Sequence, residues 1–577
     1  MKIRDLLYSG RGRLFQFFLM FFWLLSLRDS SSYFSVNTLI TMMGVCCLGA
    51  DTSSRYSFVD WRAWVIFAVS VIFSGAVILA NYDLFFDFSS VWNFLPLPFV
   101  FLGGVSLAWN ILFFLYRKLP KEIDAPTLTN SRHAGTVYLA SFAAISGIYL
   151  SVFFFAEYPG NLTDDSLNQL AQITSGVYSN HHPYWHTILI EVCVKTGLAV
   201  FGNYNDAVAV YHVCQILFMV SCFSYTVVTL YQAGIPKRIV VASALVYMLA
   251  PYHIAYSFTM WKDVIFGGAA VLLVTSLFRI LKGIGKSRRL NFIILATGSI
   301  AFCIWRTNGW MALLATFLLC FLFLWKDHKQ VLAVWAVVLV VGWVMKGPVI
   351  TAMRIPQPDT VESLSIPVQQ IARTIHDGRI LTEDETVLLE RVMDLEEVPE
   401  LYLPYLSDPI KDEIRSKDAD YFSENVGTYL KVWLQLGLRN PGTYVKAWVD
   451  QTKGYWNGGY RHYITISLTP PVYDMYKPME GQPFYNGIMQ YFYSLHNIPL
   501  VEFVGSIGLH VWAMAVLFLV AALHSRKEAM LTVPILMVVG TLLVATPVYC
   551  EFRYAYTIFT TLPLILPVTL YSVHNKG

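Results

Sequence analysis

Along the chain, long apolar runs alternate with short polar loops, and the runs have the length of membrane helices rather than of core helices. A spanning helix needs about 20 mostly apolar residues, because the hydrocarbon core is about 30 Å thick and a helix rises about 1.5 Å per residue. Fourteen stretches approach that length: Leu14 to Leu27, Phe34 to Ala50, Ala63 to Ala80, Phe94 to Tyr116, Thr136 to Ala156, Ala207 to Tyr231, Ile239 to Tyr256, Val264 to Leu281, Phe292 to Trp305, Trp310 to Trp325, Val331 to Met345, Val501 to Leu523, Leu531 to Tyr549 and Phe552 to Val573. The run Ile188 to Val200 is apolar too, but it carries Glu191 and Lys195 and is too short to cross, which predicts a helix lying at the interface. From Gly347 to Leu500 the pattern turns polar. There, Val361 to Gly378 and Thr382 to Leu395 read as amphipathic helices, the second with Thr382 as N-cap and Glu383, Asp384 and Glu385 on its positive end. Pro, Gly and Tyr crowd Pro470 to Phe484, which predicts loops.

Composition agrees with a membrane protein: of 577 residues, 56% are hydrophobic and only 14% charged, against about 25% charged in soluble domains. A net charge of +3, spread along the chain, excludes the clustered basic face of a nucleic-acid binder. Seven of the eight cysteines (Cys46, Cys47, Cys193, Cys214, Cys222, Cys303 and Cys320) fall in apolar runs, as small hydrophobes do. Short-loop Lys and Arg stay in the cytoplasm. A cytoplasmic N-terminus then places Arg55 and Arg62, Arg117 to Arg132, Lys237 and Arg238, Lys282 to Arg289, Lys326 to Lys329, Arg526 and Lys527, and Lys576 all inside. The first helix is expected to be retained, since Ser26, Leu27 and Arg28 make no small-residue cleavage site. The same alternation puts 347–500 outside, a segment with 20 acidic and 13 basic residues, net −7, leaving +10 for the rest. The expected architecture is an all-α polytopic membrane protein of about 14 transmembrane helices. Residues 1–134 form accessory N-terminal helices and 135–346 a core with a first outer loop at 157–206. A mainly helical extracytoplasmic domain at 347–500 precedes three C-terminal helices at 501–577.

Five polar clusters share the predicted outer rim: Glu157 to Ser166 (EYPGNLTDDS), Ser179 to His186 (SNHHPYWH), Met260 to Asp263 (MWKD), Trp305 to Gly309 (WRTNG) and Cys550 to Tyr554 (CEFRY). Ionisable groups at a membrane rim are costly, so their convergence marks a functional site. Asp165, or its neighbour Asp164, has the chemistry of a general base that takes a proton from an acceptor hydroxyl; the alternative is that one of the pair only caps a short interfacial helix. Lys262, Arg306 and Arg553 are the cations needed to hold a phosphate, or else rim ion pairs such as Lys262 with Asp263 and Arg553 with Glu551. Asn308 in WRTNG is a further polar candidate for substrate contact. His181, His182 and His186 have metal-ligand chemistry, interrupted by Pro183, and equally suit substrate hydrogen bonding or interfacial packing. Trp185, Trp261, Trp305, Tyr455, Trp456 and Tyr460 offer rings for stacking on a sugar, or belong to the aromatic belt of a membrane protein. No glycine-rich strand-to-helix turn of a nucleotide-binding fold is present.

An outward Asp just after a transmembrane helix, interfacial helices, many further spans and a late outer domain resemble the GT-C superfamily of polytopic glycosyltransferases. The stretches YPGNLTDDSLNQ, YSNHHPYWHTILI, MWKD, WRTNG, ESLSIPVQQIAR and EFRYAY look like a bacterial branch of that superfamily, over roughly Tyr138 to Tyr571. The resemblance implies a polyprenyl-phosphate sugar donor, a cell-envelope glycan, teichoic acid or protein as acceptor, inversion at the anomeric carbon, and an extracytoplasmic site in the bacterial cytoplasmic membrane. It carries the catalytic Asp onto Asp165, with Asp164 adjacent, and the phosphate-side cations onto Lys262, Arg306 and Arg553. Some members use a divalent cation (Mg2+ or Mn2+) and others none. The acceptor is expected near Gly454 to Arg461 (GYWNGGYR). Two other classes stay open: a lipid-linked sugar transporter or flippase, and a polysaccharide polymerase or ligase using a lipid-diphosphate oligosaccharide.

Overall fold

Apolar runs bounded by Pro, Gly, Ser and Asn become helices in the computed structural model, which describes residues 9–27, 36–50, 60–86, 94–124, 133–285, 287–458 and 505–574. Four N-terminal helices, α1 (Gly10–Ser26), α2 (Val36–Ala50), α3 (Trp61–Ala80) and α4 (Pro96–Lys118), pack on a core of their own around Met20, Trp23, Val100 and Leu107. The central bundle contains α5 (Ala134–Val152), α6 (Asp164–Ser175), α7 (Tyr184–Phe201), α8 (Tyr204–Gln232), α9 (Lys237–Leu249), α10 (Pro251–Ser257), α11 (Lys262–Lys282), α12 (Arg288–Ile304), α13 (Gly309–Leu324) and α14 (Lys329–Lys346). A helical domain follows: α15 (Ser365–His376), α16 (Glu383–Glu390), α17 (Asp408–Glu424), α18 (Val426–Arg439) and α19 (Pro441–Thr452). The chain returns to the bundle with α20 (Ile507–Leu523), α21 (Val533–Ala545) and α22 (Tyr556–Leu570). Beside the helices there is one short parallel strand pair, Lys121–Asp124 with Tyr571–His574, which the all-α expectation did not include.

Seven helices among the described residues are long and apolar enough to cross a membrane, or eight if the pair α9 and α10, bent by 49°, is one span. The protein is thus a multi-pass helical membrane protein. Six of the seven coincide with predicted stretches, while the other helices at predicted positions are 13–17 residues long. At about 1.5 Å per residue these fall short of a 30 Å core. The seventh is α7, with 18 residues at a mean hydropathy of 1.2, so the expectation that it is too short is corrected: the helix starts at Tyr184, directly after Pro183, and runs on to Phe201. Both its ends nevertheless meet the same rim. Trp185 Nε1 donates to Met345 O at 3.1 Å beside the end of α14, and two residues after Phe201 the chain enters α8, whose Asp206 accepts from Tyr158 just past α5. The Glu191–Lys195 pair, 2.5 Å apart one turn along α7, keeps its charges together.

The bundle core is α11, whose side chains are almost all buried. On α22, Pro567 has no N–H for the carbonyl of Pro563 one turn back, and Ser243 Oγ of α9 donates to that carbonyl at 3.0 Å instead. Among the described residues, the basic loops after α11, α13 and α20 gather at the end of the bundle away from α6. There Glu528 pairs with Lys282 at 2.8 Å and with Arg526 at 2.7 Å, Asp327 pairs with Lys527, and Arg279 donates to Thr229, Gln232 and Asn291.

The domain after α14 has its own core around Val368, Ile371, Ile410, Ile414 and Leu436. Thr382 caps α16 and Glu385 accepts from Thr382 N–H at 2.9 Å, the expected capping box. The domain is tied to the bundle next to α22: Ser407 N donates to Pro547 O, Tyr549 N to Tyr405 O, and Trp448 Nε1 to Leu543 O. It also reaches the N-terminal helices, since Tyr82 OH donates to Asp450 Oδ2 at 2.7 Å. Pro470 to Phe484, Tyr460 and Arg461 lie outside the described residues.

Candidate functional site: a carboxylate between two cations at one rim

The loop Tyr158 to Thr163 leads from the end of α5 into α6. Gly160 has φ +114°, and a Cβ there would sit 2.3 Å from the His212 ring, so only glycine fits this close turn. Asn161 N donates to Phe258 O and Asn161 O accepts from Met260 N, which sets this loop beside the start of α11. Helix α6 is capped without its acids: Ser166 Oγ accepts from Thr163 N–H at 2.6 Å, and Trp261 Nε1 donates to Thr163 Oγ1 at 2.7 Å. The capping role left open for the Asp pair is therefore filled by Thr163 and Ser166.

Asp165 is left to make long-range contacts. Its Oδ2 accepts from Lys262 Nζ at 2.8 Å and from Arg553 Nη1 at 2.9 Å, and lies 3.9 Å from His182 Nδ1. These side chains are partly open to solvent, at 21% for Asp165, 16% for Lys262 and 18% for Arg553. Asp164, one residue earlier, is exposed. Burial works against the Asp165 charge, but Lys262 and Arg553 outweigh it and hold the carboxyl well below its usual range. His182 Nδ1 accepts from Lys262 Nζ at 3.1 Å, which requires a neutral ring at that nitrogen; burial first, then Lys262, lower it to about 3.

Behind this cluster lies a second. Asp263, fully buried, pairs with Arg306 Nη1 at 2.7 Å. The Arg306 guanidinium lies 4.4 Å from the Tyr554 ring centre and that of Arg553 lies 5.2 Å from it, so both cations pack on one aromatic ring. Glu551 Oε1 is 3.6 Å from Arg553 Nε, and burial pushes its carboxyl up despite Arg553. Of the two rim pairings held open, Arg553 does meet Glu551, whereas Lys262 pairs with Asp165 and not with Asp263.

The remaining candidates meet other neighbours. His186, fully buried, sits 3.1 Å from Gln169 Oε1 and 2.8 Å from Tyr211 OH. His181 is exposed against the His182 ring, 4.9 Å between centres. The three histidines thus face different neighbours, and among the described residues no three His, Cys, Asp or Glu converge as metal ligands. Asn308 Nδ2 donates to Thr541 Oγ1 at 2.7 Å. Trp185, Trp261 and Trp456 spend their N–H groups on scaffold acceptors, Trp305 packs edge-on against Phe218, and Tyr455 is fully buried. Of Gly454 to Arg461, expected near the acceptor, Gly454 lies against Tyr549 and Cys550, just before Arg553 in the chain, while residues 459–461 lie outside the described residues.

Two residues escaped the sequence reading, and Tyr554, inside the CEFRY cluster, was not singled out there although both arginines lie against its ring. Lys346 donates to the carbonyls of Arg306 and Thr307, at 3.2 and 2.7 Å, and fixes the turn that carries Arg306. Gln215, buried within α8, donates to the carbonyls of Tyr256, Ser257 and Thr259 at 2.8–3.2 Å and pins the chain leading to Lys262. A polar residue amid the apolar face of α8 was the available signal for Gln215. No curated protein and no solved structure matches the chain. A family model described as a family of unknown function (DUF6020) matches residues 171–576, which takes in Lys262, Arg306 and Arg553 and begins just after Asp165; the chain belongs to that family.

Proposed function

We propose that this protein is a GT-C-type membrane glycosyltransferase that moves a sugar from a polyprenyl-phosphate donor to a hydroxyl acceptor at the outer face of the bacterial cytoplasmic membrane. The observation that carries the reading is the Asp165 carboxylate held between Lys262 and Arg553 at a partly open membrane rim. In the reaction, the acceptor hydroxyl gives its proton to Asp165 while its oxygen bonds to the anomeric carbon. The bond from that carbon to the phosphate oxygen breaks, and polyprenyl phosphate leaves with the electron pair. In-line attack inverts the centre. Lys262 and Arg553 neutralise the charge that builds on the leaving phosphate.

A carboxylate shared by two cations is a weak base. An arriving phosphate competes for both cations, and each one it draws away makes Asp165 more basic as the acceptor arrives. Arg306, with Asp263 at its back and Tyr554 at its face, offers a second cation for the phosphate. In this reading the shorter helices complete a fourteen-span bundle with both termini cytoplasmic, and the acceptor is a cell-envelope glycan, a teichoic acid or a protein.

The bend between α9 and α10 favours a second reading, a lipid-linked sugar transporter, because transporters build substrate sites on broken helices. One experiment separates the two. Purified protein in nanodiscs receives synthetic polyprenyl-phosphate sugars, labelled in the sugar, and a cell-envelope extract. Transfer that disappears in a folded Asp165→Asn variant supports the enzyme; transfer unchanged in that variant moves the base to Asp164. Absence of transfer together with lipid-linked sugar crossing a proteoliposome bilayer establishes the transporter.

A further inference from the structure

At the end of the bundle remote from Asp165, an open depression of about 450 Å³ lies between α12 and α14, lined by Arg288, Arg289, Phe292, Gln330 and Val334. Its two cations begin α12, where no acidic residue shares the first turn and where the helix macrodipole disfavours positive charge. The acids near them are already committed, Asp327 to Lys527 and Glu528 to Lys282 and Arg526. Arg288 Nη2 donates to Gln330 Oε1 at 2.8 Å and its guanidinium lies 5.7 Å from the Phe292 ring centre. Among the described residues neither Arg288 nor Arg289 has an acidic partner. Two cations are thus kept at a locally unfavourable position with no counter-charge from the chain, which marks the site for an external anion.

The walls below the cations have a different character. Phe292 of α12 and Val334 of α14 give the depression its apolar lining, and further along the same two helices Leu290 (53%), Ile293 (49%), Val337 (63%) and Val340 (62%) are exposed. On membrane helices such side chains meet lipid tails. Guanidinium groups bind phosphate in bidentate fashion, and basic pockets between membrane helices hold anionic headgroups. From the two guanidiniums at the rim and the apolar slot beneath them, we infer that this depression binds an anionic phospholipid. Its phosphate is held by Arg288 and Arg289 and its acyl chain lies between α12 and α14. A free phosphate would use the two arginines and leave the apolar walls uncovered, so the lipid is the better fit. The inference stands apart from the proposed reaction, because the two sites occupy opposite ends of the bundle.

The test uses the full chain, delipidated in neutral detergent and titrated with phosphatidylglycerol, with phosphatidylcholine, or with inorganic phosphate, with binding read by native mass spectrometry and by thermal unfolding. Phosphatidylglycerol is expected to bind at least tenfold more tightly than phosphatidylcholine and to raise the unfolding temperature. Arg288→Gln with Arg289→Gln removes that preference, whereas Arg379→Gln, an exposed site in the helical domain, leaves it intact. The double Lys variant, which keeps the charge and loses the bidentate geometry, gives an intermediate affinity and guards against a folding defect. Equal binding of the two lipids, or an unchanged preference in the double Gln variant, overturns the inference. So does inorganic phosphate that competes as well as the lipid, since the apolar slot then adds nothing.

Discussion

Replacing Asp165 by Asn should abolish transfer and at the same time tighten binding of the donor's phosphate. In the resting site, Asp165 Oδ2 holds Lys262 at 2.8 Å and Arg553 at 2.9 Å, the two cations that bind the donor phosphate in the proposed reaction. Each such charge-assisted hydrogen bond contributes about 1.5–3 kcal/mol net. A phosphate must therefore displace bonds of that size before it gains its own. Asn keeps the shape and loses the charge, so the competition weakens by roughly one such bond. A gain of about 1.4 kcal/mol corresponds to tenfold tighter binding. Loss of a general base lowers the rate by about 10²–10⁴. The assay pairs equilibrium binding of polyprenyl phosphate to the purified protein with the rate of sugar transfer, for wild type, Asp165→Asn and Asp164→Asn. The exposed Asp164 should change neither quantity more than about twofold, as expected of a surface charge. Phosphate binding that weakens in Asp165→Asn as much as in Lys262→Gln would refute the reasoning, because Asp165 would then position the cations rather than compete for them.

Three further outcomes follow from the geometry. Gly160→Ala places a Cβ into the His212 ring at positive φ; it should cost about 1–3 kcal/mol or more, seen as a lower unfolding temperature in detergent. Asp263→Asn leaves Arg306 buried without its charge partner, a loss of about 3–5 kcal/mol, and the double change Asp263→Asn with Arg306→Gln should recover part of it. Acidification should destabilise the protein from about pH 6.5 downwards. His182, lowered to about 3 by burial and Lys262, stays neutral when folded while the unfolded chain takes up a proton. Its contribution is complete above pH 6.5 and is lost as pH falls towards 3, at up to about 1.4 kcal/mol per pH unit. Asp165, held low, adds its own loss only below about pH 4, the unfolded carboxylate value. Unfolding of His182→Asn that keeps the wild-type slope between pH 6.5 and 5 would overturn that assignment.

How much was legible in the chain differs between fold and site. The apolar runs predict helices at positions where the structure has them, and the change at Gly347 marks a domain with its own core, because periodicity and charge act within a few turns. Span length is less local. Helix α21 stops at Ala545, short of the predicted Tyr549, and α7 starts at Tyr184 within a segment read as interface.

From the sequence alone, a membrane protein with five polar clusters on one predicted rim, basic short loops on the other and a polar segment at 347–500 is already legible, since burying charge in lipid is too costly to occur by accident. Which cluster members meet is decided by tertiary packing. Lys262 reaches Asp165 across 97 positions and Arg553 across 388, contacts that no local pattern encodes. Asp165 is brought to the cations and Asp164 to solvent because Thr163 and Ser166 cap α6 and set its rotation. His186 passes from candidate ligand to buried scaffold because α6 and α8 supply Gln169 and Tyr211 to its two ring nitrogens. Sequence spacing fixes which residues share a helix face, but the partner opposite that face comes from elements far along the chain, and only the packed bundle brings them within hydrogen-bonding distance.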